Sequence, residues 1–354
     1  MSKKNKRILR KLLLLFGYVF AIITVVIVCM KFKSNPLKKI GYKQNEISII
    51  EKLSKNEIDI IKKHKYNKNL IKVINNEEYN KENLNSYLIY LEKYNKPNGI
   101  IKYVNKYKDK YEINDAIINL LEEKYFIDEF IDRYINYYKE HTDLTAKEVI
   151  TRINSNLDHT FYVDSTKADT SKGMYTLVNK FYSLDANYVP QDLVQVDRRF
   201  TRNNTKVVSV ANDNFVKLAE DGEKAGVHFL ATTCYRDYNF QSTLYYNYVR
   251  QDGVTNADTY SARPGSSEHQ LGYSLDLTNN EYVDFDYFEG TKEYAWLKDN
   301  AHKYGFILRY PKGKEYITGY IFEPWHIRYV GVDIATYIYE NDITYEEYYA
   351  YFIR

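Results

Sequence analysis

Two short segments of this chain carry residue types that can do hydrolytic chemistry together. The first is Ser267-Glu268-His269-Gln270-Leu271-Gly272-Tyr273-Ser274-Leu275-Asp276, and the second is Glu323-Pro324-Trp325-His326. They supply two imidazoles, one aspartate and one further glutamate. A hydrolytic zinc site needs three protein ligands, a coordination position left open for water, and a base beside it. His269, Asp276 and His326 fit the ligand role, because a carboxylate with two imidazoles suits Zn²⁺ and not a thiolate-seeking metal. Glu323 is left as the general base.

Spacing sets what the backbone must do. Asp276 follows His269 at a spacing of seven, too long for one helical face and too short for two separate elements. The segment is expected to be a loop running into a strand, with Gly272 at the tight turn. Pro324 disfavours a helix across Glu323–His326, so the chain lacks the helical His-Glu-x-x-His arrangement of other zinc proteases. A bend at Pro324 is expected to bring His326 to the metal and leave Glu323 close by, with Trp325 packed beneath. The chain has seven histidines. The other five, His64, His141, His159, His228 and His302, have no carboxylate pattern around them that suggests ligation.

The elements around these motifs read as alternating helix and strand. A helix is expected from Asn212 to Ala225, stopped by Gly226, then a strand from Val227 to Thr233. Asp237 is a suitable N-cap for a helix through Gln241, Leu244 and Tyr248. A helix from Thr291 to Tyr304 should end at Gly305. Strands are expected at Phe306–Tyr310, Tyr316–Phe322 and His326–Val330, and helices at Val332–Tyr339 and Thr344–Phe352. Few strands with flanking helices give an α+β domain over residues 174–354, preceded by a polar linker at 151–173.

Residues 31–150 read as helical. Ser54-x-x-Glu57 is a capping box, and Leu84, Tyr87, Leu88 and Leu91 repeat at helical spacing before a break at Asn95–Gly99. Further upstream, a basic tail at 1–11 (Lys3, Lys4, Lys6, Arg7, Arg10, Lys11) precedes an uncharged apolar run at 12–30, about the length needed to cross a bilayer as a helix. The run is long for a cleaved signal peptide and no small-x-small site follows it. The expectation is a single-pass membrane anchor, with everything after Lys31 outside the membrane. Among 354 residues there are two cysteines, Cys29 and Cys234, so no internal disulfide staples the outer part; Cys234 reads as a buried small residue. The net charge of +3 and the lack of a basic stripe argue against a nucleic-acid partner.

The segments Gly305–Pro311 and Thr318–Gly331 resemble the C-terminal half of the zinc D-alanyl-D-alanine carboxypeptidase family. Ser267-x-His269-x-x-Gly272-x-x-x-Asp276 resembles its first zinc motif, and Tyr235-Arg236-x-Tyr238-x-x-Gln241 its strand-to-helix motif. Leu177-Val178-Asn179-Lys180, Tyr188-Val189-Pro190 and Leu193-Val194 resemble its opening segment. The resemblance implies a small antiparallel sheet with flanking helices, the fold shared with the Hedgehog signalling domain. It implies one zinc ion on His269, Asp276 and His326, Glu323 as base, and Arg236 facing the substrate. Gln241, Arg263 and Ser267 are further candidates for substrate contact. The implied partner is a peptidoglycan stem peptide losing its terminal D-alanine. L,D-carboxypeptidase action on tetrapeptide stems uses the same metal set, and a non-catalytic zinc-containing wall-binding module is the reading from another class; the spare Glu323 argues against the latter. One departure stands out: the family usually has Ser-Gly where this chain has Thr233-Cys234.

Overall fold

The computed structural model describes residues 16–22 and 35–354. Most of the segment 12–30, and the whole basic tail, lie outside those residues. Among the described residues no helix is long and apolar enough to cross a membrane. The chain divides into two compact units, one ending at Phe126 and the other running Ile127–Arg354.

The first unit is helical. Its core gathers Leu37, Ile47, Ile50, Ile61, Leu70, Leu84 and Leu88. Ser54 caps the helix Lys55–Ile61 as its capping box requires, with its backbone N–H donating to Glu57 Oε2 at 2.9 Å. The helix Leu84–Tyr94 stops at Asn95, which takes the left-handed conformation at φ 55°. Pro97 then opens the next helix, Pro97–Lys102, where its missing N–H costs nothing. Gly99 lets that helix press against its neighbour Asp115–Glu122; a Cβ there would stand 2.6 Å from the Ile118 carbonyl oxygen.

The second unit starts earlier than the sequence suggests. The helices Ile131–Glu140 and Ala146–Asn154 belong to it, so the boundary falls at 126/127 and not in a linker at 151–173. That stretch is tied down by backbone pairing: β1 (Thr166–Lys167) runs parallel to β2 (Tyr182–Ser183). A second pair, β3 (Leu193–Gln195) and β4 (Lys206–Val208), is antiparallel. The main sheet is antiparallel with strand order β5-β6-β8-β7, comprising β5 (Leu230–Thr233), β6 (Ser274–Thr278), β7 (Phe306–Tyr310) and β8 (Glu323–Tyr329).

Strand alternation sorts the two faces of this sheet. Leu275, Leu277, Phe306 and Ile327 point into a core shared with Phe215 and Leu218 of helix Ser209–Lys224 and Leu297 of helix Lys292–Asn300. Asp276, His326, Arg328 and Arg309 point the other way. Expected elements are largely recovered, including the Asp237 cap and the Gly305 stop at φ 82°. The exception is Tyr316–Phe322, which is not a strand. It is a short helix, Glu315–Thr318, ended by Gly319 in the left-handed region at φ 76°. Its Gly319 carbonyl is held by the Lys180 ammonium and takes no part in a ladder.

Behind the sheet lies a buried ionic network. Arg309 Nε donates to Glu268 Oε1 at 2.9 Å, and its two terminal nitrogens grip both oxygens of Glu346 at 2.9 and 2.6 Å. Arg328 Nη1 stands 3.2 Å from the same Glu268 oxygen. All four residues are at most 2 % exposed. The network ties the segment before His269 to β7, β8 and the C-terminal helix Tyr345–Phe352. Replacing Arg309 by Met leaves the buried Glu346 carboxylate without its cation and Glu268 with Arg328 alone. The expected cost is about 3–5 kcal/mol of stability, seen as a lower urea midpoint; an unshifted midpoint would show that the network does not hold the fold.

Buried tyrosines set the alkaline limit. Burial raises Tyr42 and Tyr162 from 10.0 to about 12. Each stays neutral in the fold while the unfolded chain ionises, so its stabilisation is complete below pH 10 and is lost as pH climbs through 12. Lys180 acts oppositely: burial lowers it from 10.5 to about 8, so its neutral form adds stability between those values. Thermal melts should therefore hold up to about pH 10 and fall beyond it. A melting temperature flat to pH 12 would contradict this.

Candidate active site

The site is built by strand register. Asp276 of β6 and His326 of β8 are direct cross-strand partners, a position where Cβ atoms lie about 5 Å apart on the same face. His269 enters from the 3₁₀ turn Glu268–Leu271, and Gly272 at φ 77° swings the chain into β6. Any other residue is strained at that bend, and a Cβ on Gly272 would stand 3.0 Å from both Pro190 and Val208.

Glu323 and His326 are three apart on one strand, so simple alternation would send them to opposite faces. The ladder is irregular here. Leu308 and Tyr310 of β7 pair with Ile327 and Glu323 of β8, so one residue faces three. The extra residues, which include Pro324 and Trp325, form a bulge that turns Glu323 back toward His326. The bend expected at Pro324 is thus a bulge within a continuous strand.

Candidate ligand atoms of His269, Asp276 and His326 all lie within 4.8 Å of one another, and the three side chains are buried. Among the described residues this is the one such group of three. His269 Nε2 is 3.3 Å from Asp276 Oδ2, and His326 Nδ1 is 3.0 Å from Asp276 Oδ1 and 3.5 Å from Glu323 Oε2. Yet His269 Nε2, His326 Nε2 and Asp276 Oδ1 are buried with no hydrogen-bond partner. Short contacts without hydrogen-bond geometry are what donors aimed at a shared cation show, since buried polar atoms otherwise find partners. Two imidazoles and a carboxylate, with no fourth protein ligand, fit Zn²⁺ in an open site.

A main-chain carbonyl fixes the imidazole of His269. His269 Nδ1 lies 2.5 Å from the carbonyl oxygen of Cys234. A carbonyl only accepts, so Nδ1 carries the proton and Nε2 presents its lone pair to the cluster. Burial, then the nearby Arg236 charge, pushes His269 down to about 4, so it is neutral and competent to ligate at ordinary pH. Burial opposes the charge of Asp276, but His269 and His326 outweigh it and hold the carboxyl well below the usual range. Burial, then the Asp276 charge, raises Glu323 well above that range. Glu323 is therefore suited to hold a proton, and a divalent charge at the cluster favours its release.

These groups line a cavity of about 370 Å³. Arg236 lines it too, held at the junction between β5 and the helix Tyr238–Tyr260 by its backbone N–H to the His269 carbonyl. Its Nη1 stands 3.7 Å from Asp276 Oδ2, and its Nε is buried without a hydrogen-bond partner. Ser267 also lines the cavity.

Gln241 and Arg263 do not belong to the cavity wall. Gln241 donates to the Ala262 carbonyl at 2.8 Å, bracing the chain just before Arg263. Arg263 is forked onto Asp258 at 3.0 and 2.8 Å, over the ring of Tyr162. The structure adds Tyr310, whose ring centroid is 5.0 Å from that of His326, and Phe285, stacked on Trp325. Trp325 lines the cavity and also packs against the hydrophobic core. Cys234 is fully buried and its thiol is raised well above its usual range by burial, as befits an inert packing residue.

Comparison with known proteins agrees with this geometry. The family model described as D-alanyl-D-alanine carboxypeptidase (VanY) matches residues 204–332. A putative carboxypeptidase YodJ of Bacillus subtilis is 38% identical over 205 residues, 54% of this chain and 75% of that protein. A D-alanyl-D-alanine carboxypeptidase of Enterococcus faecium is 33% identical over 195 residues, 52% of this chain; the match spans 60% of that relative's length. Among solved structures, the LdcB LD-carboxypeptidase is 40% identical and covers 49% of this chain and 85% of its own, with a TM-score of 0.47. The chain belongs to the VanY family of zinc-dependent D-alanyl-D-alanine carboxypeptidases.

Proposed function

We propose that this protein removes the terminal D-alanine from peptidoglycan stem peptides as a D,D-carboxypeptidase. The observation that carries the reading is the placement of Glu323 beside His326 at 3.5 Å, inside a buried His–Asp–His cluster that opens to a cavity containing Arg236. A structural metal site has no use for such an extra carboxylate.

His269, Asp276 and His326 would hold the zinc ion. When bound, zinc acidifies water and polarises the scissile carbonyl. Arg236 offers the terminal carboxylate or the developing oxyanion a fixed positive charge at the cavity wall. Glu323 takes the proton released as water attacks the carbonyl carbon. It returns that proton to the nitrogen of the departing D-alanine as the C–N bond breaks. The raised affinity of Glu323 for a proton suits both halves of that transfer.

The test is release of D-alanine from purified pentapeptide and tetrapeptide stems by wild type and by Glu323→Gln. Wild type should act on the pentapeptide. The variant should keep one zinc per chain by elemental analysis and lose about 10²–10⁴-fold in kcat, the usual range for a general acid–base group. Full activity in the variant removes Glu323 from the mechanism; release from the tetrapeptide alone moves the assignment to L,D-carboxypeptidase action.

We also propose a membrane-anchored, outward-facing enzyme. The basic residues Lys3–Lys11 before the uncharged run 12–30 support it, as does the substrate, which lies outside the membrane. Full-length protein should sediment with membranes, resist carbonate extraction and be degraded by protease added to intact protoplasts. Protection from that protease would overturn the orientation.

A further inference from the structure

Lys180 is a buried cation without a carboxylate. It is 4 % exposed, and among the described residues no acidic side chain lies within ion-pair distance of it. Its ammonium donates instead to two main-chain carbonyls, that of Asp258 at 2.6 Å and that of Gly319. Three rings surround it, with centroids 4.9 Å (Phe161), 5.6 Å (Tyr162) and 4.4 Å (Tyr320) away. Burial lowers it from 10.5 to about 8, so it is charged at neutral pH. Taking a charge out of water is costly, and buried charges are ordinarily paired with an opposite one. A cation kept here without such a partner needs another reason for its place.

The two carbonyls belong to segments that both wall the catalytic cavity. Asp258 precedes Tyr260, Ser261 and Ala262, and Gly319 precedes Tyr320, Ile321 and Glu323, all of which line it. Further bonds join the same region: the Ile321 N–H donates to the Thr259 carbonyl at 2.9 Å, and the Tyr320 and Tyr162 hydroxyls are 3.2 Å apart. The approach of Lys180 to Gly319 is close. A Cβ on Gly319, at φ 76°, would stand 2.8 Å from the Phe161 ring and 3.1 Å from the Lys180 stem. Tyr162 is itself held in the left-handed region at φ 64°, and its N–H donates to the Lys180 carbonyl at 3.1 Å. Backbone strain of this kind persists only where the surroundings fix it.

We propose that Lys180 is a positioning residue for hydrolysis: its ammonium clamps segment 258–262 to segment 319–323, and so sets where the Glu323 carboxylate stands beside His326. Glu323 depends on such a brace because it enters the cavity through the bulge in β8, where the ladder alone does not dictate its direction. Lys180 touches neither the metal ligands nor the substrate and acts through the chain it holds. The inference rests on the carboxypeptidase reading.

The test compares the zinc-loaded full chain with Lys180→Met, which keeps the stem and removes the donors. Loss of an unpaired buried charge should leave the melting temperature unchanged or raise it. With zinc still at one per chain, kcat for D-alanine release should fall about 10–100-fold, as when a catalytic group is slightly misplaced. KM should stay close to that of wild type, because the base acts in the transition state. Hydrogen exchange at the Ile321 amide, which reports the same junction without any reaction, should speed up. Lys180→Gln, which keeps an N–H donor, should fall between the two and carries the test if the methionine variant does not fold. Unchanged kcat per bound zinc overturns the proposal, as does a loss that disappears when the assay is run well below the melting temperature. A raised KM with kcat intact moves Lys180 to substrate binding and overturns the placing of the base. If wild type releases no D-alanine, the carboxypeptidase reading falls, and unaltered exchange at Ile321 would remove the clamp as well.

Discussion

The pairing of Asp276 with His326 across two adjacent antiparallel strands is the constraint on which the active site depends. Register in a sheet is all-or-none: a slip of one residue would send His326 into the apolar core and bring Ile327 out. The core forbids that slip, because Leu275, Leu277 and Ile327 already fill its face. Hydrophobic packing on one side of the sheet therefore secures ligand geometry on the other. Only Glu323 escapes the simple alternation, and it does so through the bulge at Pro324–Trp325.

The third ligand comes from outside the sheet, so something must fix the turn that carries it. The buried carboxylate of Glu268, next in sequence to His269, is gripped by two arginines rooted in β7 and β8. Arg309 also grips Glu346 on the C-terminal helix. Such a network is costly to desolvate and is weak evidence for stability by itself. Its value here is positional: it joins the turn bearing His269 to the strands bearing its partners, and it does so without a disulfide in a chain with one cysteine in this unit.

Much of this was legible in the sequence, and the reasons differ by element. The ligand set could be read from residue types, because few combinations besides a zinc site need two histidines, an aspartate and an unpaired glutamate. The helices with clear caps, such as those at Asp237 and Thr344, were also legible, since a cap is local chemistry. Tyr316–Phe322 misled because it is rich in β-branched and aromatic residues, which favour strands, while Gly319 and a buried lysine decide its path through non-local contacts. Gln241 and Arg263 sit near the motifs in sequence but spend their hydrogen bonds on the scaffold. The unit boundary was misplaced because polar composition at 151–173 masks a backbone pairing made sixteen residues downstream, between Thr166 and Tyr182.

The acceptor that sets the His269 tautomer is a main-chain oxygen, that of Cys234. Every residue type has that oxygen, so the side chain at this position is released from any duty toward the metal and answers only to the space around it. Cysteine fits that fully enclosed space and leaves the presentation of the imidazole unchanged. Packing limits the size of the side chain at 234, while replacing that side chain does not delete the main-chain oxygen it shelters.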